Sequence, residues 1–187
     1  PLTGFLDRNL GKMRLTRRLF RLGVTNLVPG CDGSYLAVLN KKIYQILNDG
    51  AKVRIVRSFR KGNRLLKNSI AANGTGEAYY CEYWTNESRE EVELYRSEDG
   101  GANWNILKVF PQGSIRHIHA LQFDDYSEKL WITTGDEEDE CKIGYSLDGG
   151  KTFNYIGQGS QKWRTVDLIF TPNWVYWGTD SPKGTNY

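Results

Sequence analysis

Ser97-Glu98-Asp99-Gly100-Gly101-Ala102-Asn103-Trp104 and Ser146-Leu147-Asp148-Gly149-Gly150-Lys151-Thr152-Phe153 are two copies of one pattern, Ser-x-Asp-Gly-Gly-x-(Asn/Thr)-aromatic. Each follows a tyrosine, Tyr95 or Tyr145, and each leads into an alternating segment. The paired glycines permit positive φ and hence a tight reversal. The Asp and Ser side chains can satisfy the free N–H groups of such a turn. The aromatic that follows can fold back over it. Ser97 and Ser146 stand 49 residues apart, and a period of about 50 is the length of one four-stranded propeller blade.

The self-similarity extends beyond these loops. Inner-strand candidates recur at Arg64–Ile70, Arg116–Phe123 and Arg164–Phe170, each followed by a turn and an aromatic strand: 78–84, 129–134 and 174–179. A unit of this kind cannot bury both sheet faces alone and must stack on neighbours. An earlier unit is read from strands at 35–39, 42–47 and 53–59, with Asn48-Asp49-Gly50 as a plain hairpin turn. The expected fold is all-β, a β-propeller of four-stranded antiparallel blades over approximately 34–60, 64–110, 115–157 and 162–187. The last blade stops after its second strand, so the expectation is about three and a half blades of a longer propeller, closed by more chain or by another chain.

Composition bounds the rest. With 39% hydrophobic and 13% aromatic residues the chain can build a sizeable core of strands. No apolar run is long enough for a membrane-spanning helix, and no signal peptide is read at the basic N-terminal region. Three cysteines, Cys31, Cys81 and Cys141, form no C-x-x-C pair, and their odd number argues against a disulfide framework. They read as reduced thiols of a cytoplasmic protein. The formal charge of +3 is unevenly spread: residues 1–67 hold 15 Lys/Arg and 3 acids, against 10 and 19 in the remainder. Mutual neutralisation across the fold is the favoured reading; a basic surface for acidic glycans or lipid head groups is the alternative. Met13–Leu22 is a basic amphipathic stretch. No nucleic-acid-binding motif occurs, and no nucleic-acid partner or cofactor is expected.

In a propeller the inner strand starts at one face, the top, and the loop between strands two and three returns there. The turn between strands three and four lies at the bottom. That places Ser97, Asp99, Gly101 and Trp104, with Ser146, Asp148, Gly150 and Phe153, in structural roles. The top collects His117 and His119, two apart and so on one side of a strand. Asp136 follows the next strand, Arg116 and Arg164 begin inner strands, Asp180 occupies the corresponding place in the last blade, and Trp84 and Asn86 come from the loop of the second blade. These residues could hold an acidic sugar: Arg pairing with its carboxylate, Trp84 stacking on its ring, and His117, His119 and Asp136 carrying catalysis by proton transfer. His117 and His119 with Asp136 could instead bind a metal; a hydrogen-bonded pair lining the channel is preferred, and no metal is assigned. The run Asp136–Glu140 lacks the spacing of a calcium loop and reads as solvated.

The twin loops resemble the Asp-box (BNR) of sialidase-type repeats. A longer set, Arg17–Arg21, Arg116-His117-Ile118-His119, Thr133-Thr134-Gly135-Asp136, Glu140-Cys141, Gly159-Ser160-Gln161, Arg164 and Tyr176–Asp180, resembles a family of Asp-box propeller proteins of bacterial and archaeal polysaccharide gene clusters. The resemblance implies a propeller longer than this chain and carries no activity with it. The sialidase pattern itself departs where catalysis would sit: there is no Phe/Tyr-Arg-Ile-Pro motif and no three-arginine cluster with a Tyr–Glu pair. The functional expectation is a glycan-recognising propeller, a hydrolase or lyase of polysaccharide metabolism, with a non-catalytic interaction scaffold as the alternative.

Overall fold

The computed structural model describes residues 23–47, 50–62, 64–182 and 186. The basic stretch at 13–22 and most of the Asn48–Gly50 turn lie outside them. The chain forms β1 (Asn26–Pro29), β2 (Tyr35–Leu39), β3 (Lys42–Leu47), β4 (Lys52–Ser58), β5 (Ile70–Ala72), β6 (Ala78–Cys81), β7 (Val92–Ser97) and β8 (Asn105–Phe110). It continues with β9 (Ile118–Asp124), β10 (Lys129–Thr134), β11 (Lys142–Ser146), β12 (Asn154–Gln158), a single 3-10 turn (Gln161–Trp163), β13 (Leu168–Phe170) and β14 (Val175–Trp177). Pairing is antiparallel between chain neighbours, giving the sheets β1-β2-β3-β4, β5-β6-β7-β8, β9-β10-β11-β12 and β13-β14. These are β-propeller blades. Among the described residues no helix is long and apolar enough to cross a membrane.

Two expectations shift. The first blade starts at β1, ahead of residue 34, because Asn26–Pro29 pairs with Tyr35–Val38 as the innermost strand. Four residues ending in proline give no alternation to read. In the second and fourth blades the inner strands are shorter than expected, Ile70–Ala72 and Leu168–Phe170; residues 64–69 approach the second sheet as a loop, through an Arg64–Tyr83 bridge and the Cys81 N–H, which donates to the Ser69 carbonyl.

Burial follows the alternation of the strands and falls off outward. Tyr79 and Tyr80 are both inaccessible to solvent but belong to different cores, because successive residues face opposite sides of β6. Tyr80 joins Leu36, Val38 and Ile43 of the first blade, stacking on Tyr95 at 4.6 Å and meeting Trp104 edge-on at 4.9 Å. Tyr79 joins Leu121, Leu130 and Ile132 of the third blade. Trp131, Ile143 and Leu168 seal the third blade to the fourth. Each sheet is thus apolar on both faces and needs a neighbour on each side. Polar bonds hold the inner strands together: Asn26 Nδ2 donates to the Leu66 and Lys67 carbonyls, the Leu121 N–H to the Asn68 carbonyl, and Gln122 both donates to and accepts from the backbone of Leu168.

The Ser-x-Asp-Gly-Gly loops close β7 to β8 and β11 to β12 with the same bonds. Ser97 Oγ accepts the Gly101 N–H at 2.9 Å and Asp99 Oδ1 the Asn103 N–H at 2.9 Å; Ser146 Oγ accepts from Gly150 at 2.8 Å and Asp148 Oδ1 from Thr152 at 2.9 Å. Gly101 and Gly150 adopt φ of 85° and 86°. They are also the points of docking on the preceding blade. A Cβ at Gly101 would lie 2.5 Å from the fully buried Leu36, and one at Gly150 would lie 2.7 Å from Leu107. Slight burial works against ionisation of Asp99, but hydrogen bonds from Asn103, Ser97 and the Ala102 N–H outweigh it and hold the carboxyl at about 2. A depressed folded value contributes stability that is present above the unfolded value of about 4 and is lost as pH falls from there toward 2. Asp99→Ala is expected to cost about 1 kcal/mol, as loss of a capping carboxylate does. Asp148→Ala moves stability in the same direction, and the double variant is additive because the loops sit on separate blades. Thermal melts at pH 7 and pH 3 check both statements: the Asp99→Ala deficit is smaller at pH 3.

Candidate functional site

The site is assembled where the top ends of β9 and β10 meet the loops of the neighbouring blades. Thr133 pairs with Ala120 and Thr134 with Ile118, so His119 is the extra residue of a bulge. Bulges re-aim side chains beside functional sites. Gly135 follows β10 at φ 109°, and a Cβ there would lie 2.5 Å from the Cys141 nitrogen. Only glycine lets the chain turn this tightly, and the turn delivers Asp136.

Asp136 is the centre. Its Oδ2 is 3.2 Å from His117 Nδ1 and 3.5 Å from Arg116 Nη1; its Oδ1 is 3.2 Å from His119 Nε2 and 2.9 Å from Arg164 Nη2. Each carboxylate oxygen therefore meets one imidazole and one guanidinium. Burial pushes this carboxyl up, but the bonds from His117, His119 and Arg164 prevail and hold it far below the ordinary carboxylate range. Gln161 Nε2 fixes the Asp136 carbonyl at 2.8 Å. Arg164 also reaches Asp180 at 3.2 Å, and the Asp180 N–H donates to the Arg164 carbonyl. Tyr83, Arg116, His117, Asp136 and Arg164 line one cavity of about 300 Å³.

Six of the eight residues read as catalytic or substrate-binding thus share one network, with Asp180 entering it through Arg164. The other two serve differently. Trp84 turns its ring away, to Lys61 at 5.3 Å, and offers the cluster only its carbonyl, 2.6 Å from His117 Nε2. The aromatic beside the cavity is Tyr83, with its ring 4.6 Å from that of His117. β6 ends at Cys81, so alternation no longer fixes which ring faces the mouth. Asn86 is buried and spends its amide on the carbonyls of Glu90 and Arg116 and the Glu90 N–H. It positions Arg116 and has no donor to give a ligand. His117 and His119 are also buried; His117 has both ring nitrogens committed, whereas His119 Nδ1 has no hydrogen-bond partner among the described residues. The acidic run is solvated in its middle, where Glu137, Glu138 and Asp139 are exposed, but not at its ends: Asp136 is half-buried, and Glu140 is buried, pairs with Arg89 at 2.7 Å and accepts the Arg116 N–H.

Cys141 adjoins the cluster, its Sγ 3.0 Å from the Glu137 carbonyl. Burial and the surrounding carboxylates push its thiol up to about 11, so it stays protonated at neutral pH. All three cysteines are free.

No family model and no curated relative matches the chain. Among solved structures it is similar to a chain of the nidogen/laminin complex, with TM-score 0.51 and 15% identity over 78% of this chain and 51% of that one. It is also similar to the PQQ-bound aldose sugar dehydrogenase of Streptomyces coelicolor, with TM-score 0.52 and 11% identity over 83% of this chain and 56% of that one. The chain spans about half the length of these two proteins. At such identities the likeness concerns the fold alone, and together with the stacked four-stranded sheets it establishes that this chain is built of β-propeller blades.

Proposed function

We propose that this chain belongs to a glycan-recognising propeller of the Asp-box type, with the saccharide seated at the top face. The observation that carries the reading is the convergence of Arg116, His117, Asp136 and Arg164 on one cavity of about 300 Å³ beside the Tyr83 ring. Guanidinium donors held in place by a carboxylate, beside an aromatic wall, are the groups that bind hydroxyl-rich rings and sugar carboxylates. The shared bonding of the two Ser-x-Asp-Gly-Gly loops supports placing them among sialidase-type repeats, and through these the chain in polysaccharide metabolism. The two committed nitrogens of His117 favour recognition over turnover by that residue.

A glycan array probed with the chain, followed by calorimetry on any hit, tests the reading. Arg116→Ala and Arg164→Ala are each expected to weaken binding at least about tenfold, or 1.4 kcal/mol. Asp148→Ala, on the opposite face, leaves binding unchanged. Absence of binding to any glycan by folded protein moves the preference to the interaction scaffold.

A further inference from the structure

His117 presents a problem that saccharide binding does not solve. Its Nε2 lies 2.6 Å from the Trp84 carbonyl, which accepts and cannot donate, so Nε2 carries a proton. In the neutral ring Nδ1 is then a bare lone pair, and it faces the Asp136 Oδ2 at 3.2 Å. Two lone pairs do not stay in contact in a buried site unless a cation lies between them. That cation is a second proton or a metal ion.

The distances admit the metal. Both histidines stand 3.2 Å from Asp136, at the long end for an N–H···O contact. Two donors that each sit about 2.1 Å from one ion are about 3.0–3.4 Å apart. The candidate ligand atoms of His117, His119 and Asp136 all lie within 4.8 Å of one another. Donors on a tetrahedral ion of this kind are about 3.4 Å apart, so a side-chain closure of up to about 1.4 Å completes the set. The Trp84 carbonyl is the outer partner that metal-bound imidazoles use to fix tautomer and ring orientation. Arg164 donates to Oδ1 and Arg116 flanks Oδ2 as an ion pair, and together they hold the carboxylate in place.

The geometry points to a divalent metal site with His117 Nδ1, His119 Nε2 and the Asp136 carboxylate as ligands. Two imidazoles and one carboxylate suit a borderline transition ion such as zinc. His117 and Asp136 also line the cavity, so the ion's remaining positions adjoin it. The charges of Arg116 and Arg164 there are cancelled by Asp136 and Glu137. A divalent ion leaves the mouth with an excess of positive charge, which a carboxylate-bearing ligand would meet.

The site does not depend on the saccharide reading and is tested without a saccharide. Untagged protein is stripped with EDTA, exchanged into chelator-free buffer and titrated with zinc by calorimetry; cobalt(II) serves as a spectroscopic probe. One equivalent of zinc is expected, with affinity at least about tenfold lower in His119→Ala and in Asp136→Asn. Cobalt is expected to give the visible band of a low-coordinate nitrogen–oxygen site in the wild-type protein. Failure of the wild-type protein to take up zinc, zinc held equally well by folded variants, or a purely aqueous cobalt spectrum overturns the site. Nitrogen NMR of the stripped protein would then show His117 protonated on both nitrogens. Zinc uptake without glycan binding leaves the metal site standing and removes the saccharide reading; glycan binding in EDTA without zinc uptake does the reverse.

Discussion

Asp136→Ala is expected to destabilise the fold by about 3 kcal/mol at pH 7. The carboxylate is half-buried and touches four positive or potentially positive groups, and breaking such a cluster leaves charges in place with no counter-ion. The cost stays at the low end of the range for buried pairs, because the Arg116 side chain retains 26% of its exposure and Arg164 keeps Asp180. Asp136→Asn preserves shape and one acceptor and should lose about half as much. The sign of the pH dependence is fixed by the depressed carboxyl. Its contribution is complete above the unfolded value of about 4 and declines as pH falls further, since the unfolded chain then binds a proton that the folded one refuses. The gap between wild type and Asp136→Ala therefore narrows below about pH 4. Urea denaturation at pH 7 and pH 3 measures both quantities. A loss under about 1 kcal/mol at pH 7 would mean that the histidines and arginines find other partners, and that Asp136 does not organise the mouth.

What could be read from the sequence, and what could not, divides along physical lines. The twin loops were legible because their chemistry is local: two glycines at positive φ and two short polar side chains bonding within five residues of one another. Their spacing then supplied the blades, since a repeated unit implies a repeated fold. His117, His119 and Asp136 came together because strand alternation and the blade repeat predict direction over long distances. Prediction failed where chain direction is set outside regular strands. Trp84 and Tyr83 lie past the end of β6, so their phase was not fixed. Asn86 looked like a ligand because a side chain's choice of backbone carbonyls leaves no mark in the sequence. β1 is too short to show a period.

Glu82 illustrates the same limit and carries the second large effect. It is buried, and its carboxylate accepts three consecutive backbone N–H groups: Arg60 at 2.8 Å, Lys61 at 2.7 Å and Gly62 at 2.8 Å. Those amides follow β4 of the first blade, whereas Glu82 follows β6 of the second, so one side chain clips two blades together. Gly62 is required for the approach, because a Cβ there would lie 2.9 Å from the Tyr83 carbonyl. Backbone donors give no signal in a sequence, which is why an acid between Cys81 and Tyr83 seemed only part of an aromatic strand. Each hydrogen bond to a charged acceptor contributes about 1.5–3 kcal/mol, and stranded amides add their own desolvation cost. Water reaches part of the gap left by truncation, so Glu82→Ala is expected to lose about 3–4 kcal/mol rather than the full sum. Glu82→Gln keeps the volume but turns one NH2 toward the donors, and should lose about 2 kcal/mol. Equilibrium denaturation gives the totals, and amide hydrogen exchange gives the place: protection at Arg60, Lys61 and Gly62 is expected to fall in both variants, while the Gly101 and Gly150 amides stay protected. Equal loss of protection at all five amides would instead mean that Glu82 supports the fold as a whole and not the joint between its first two blades.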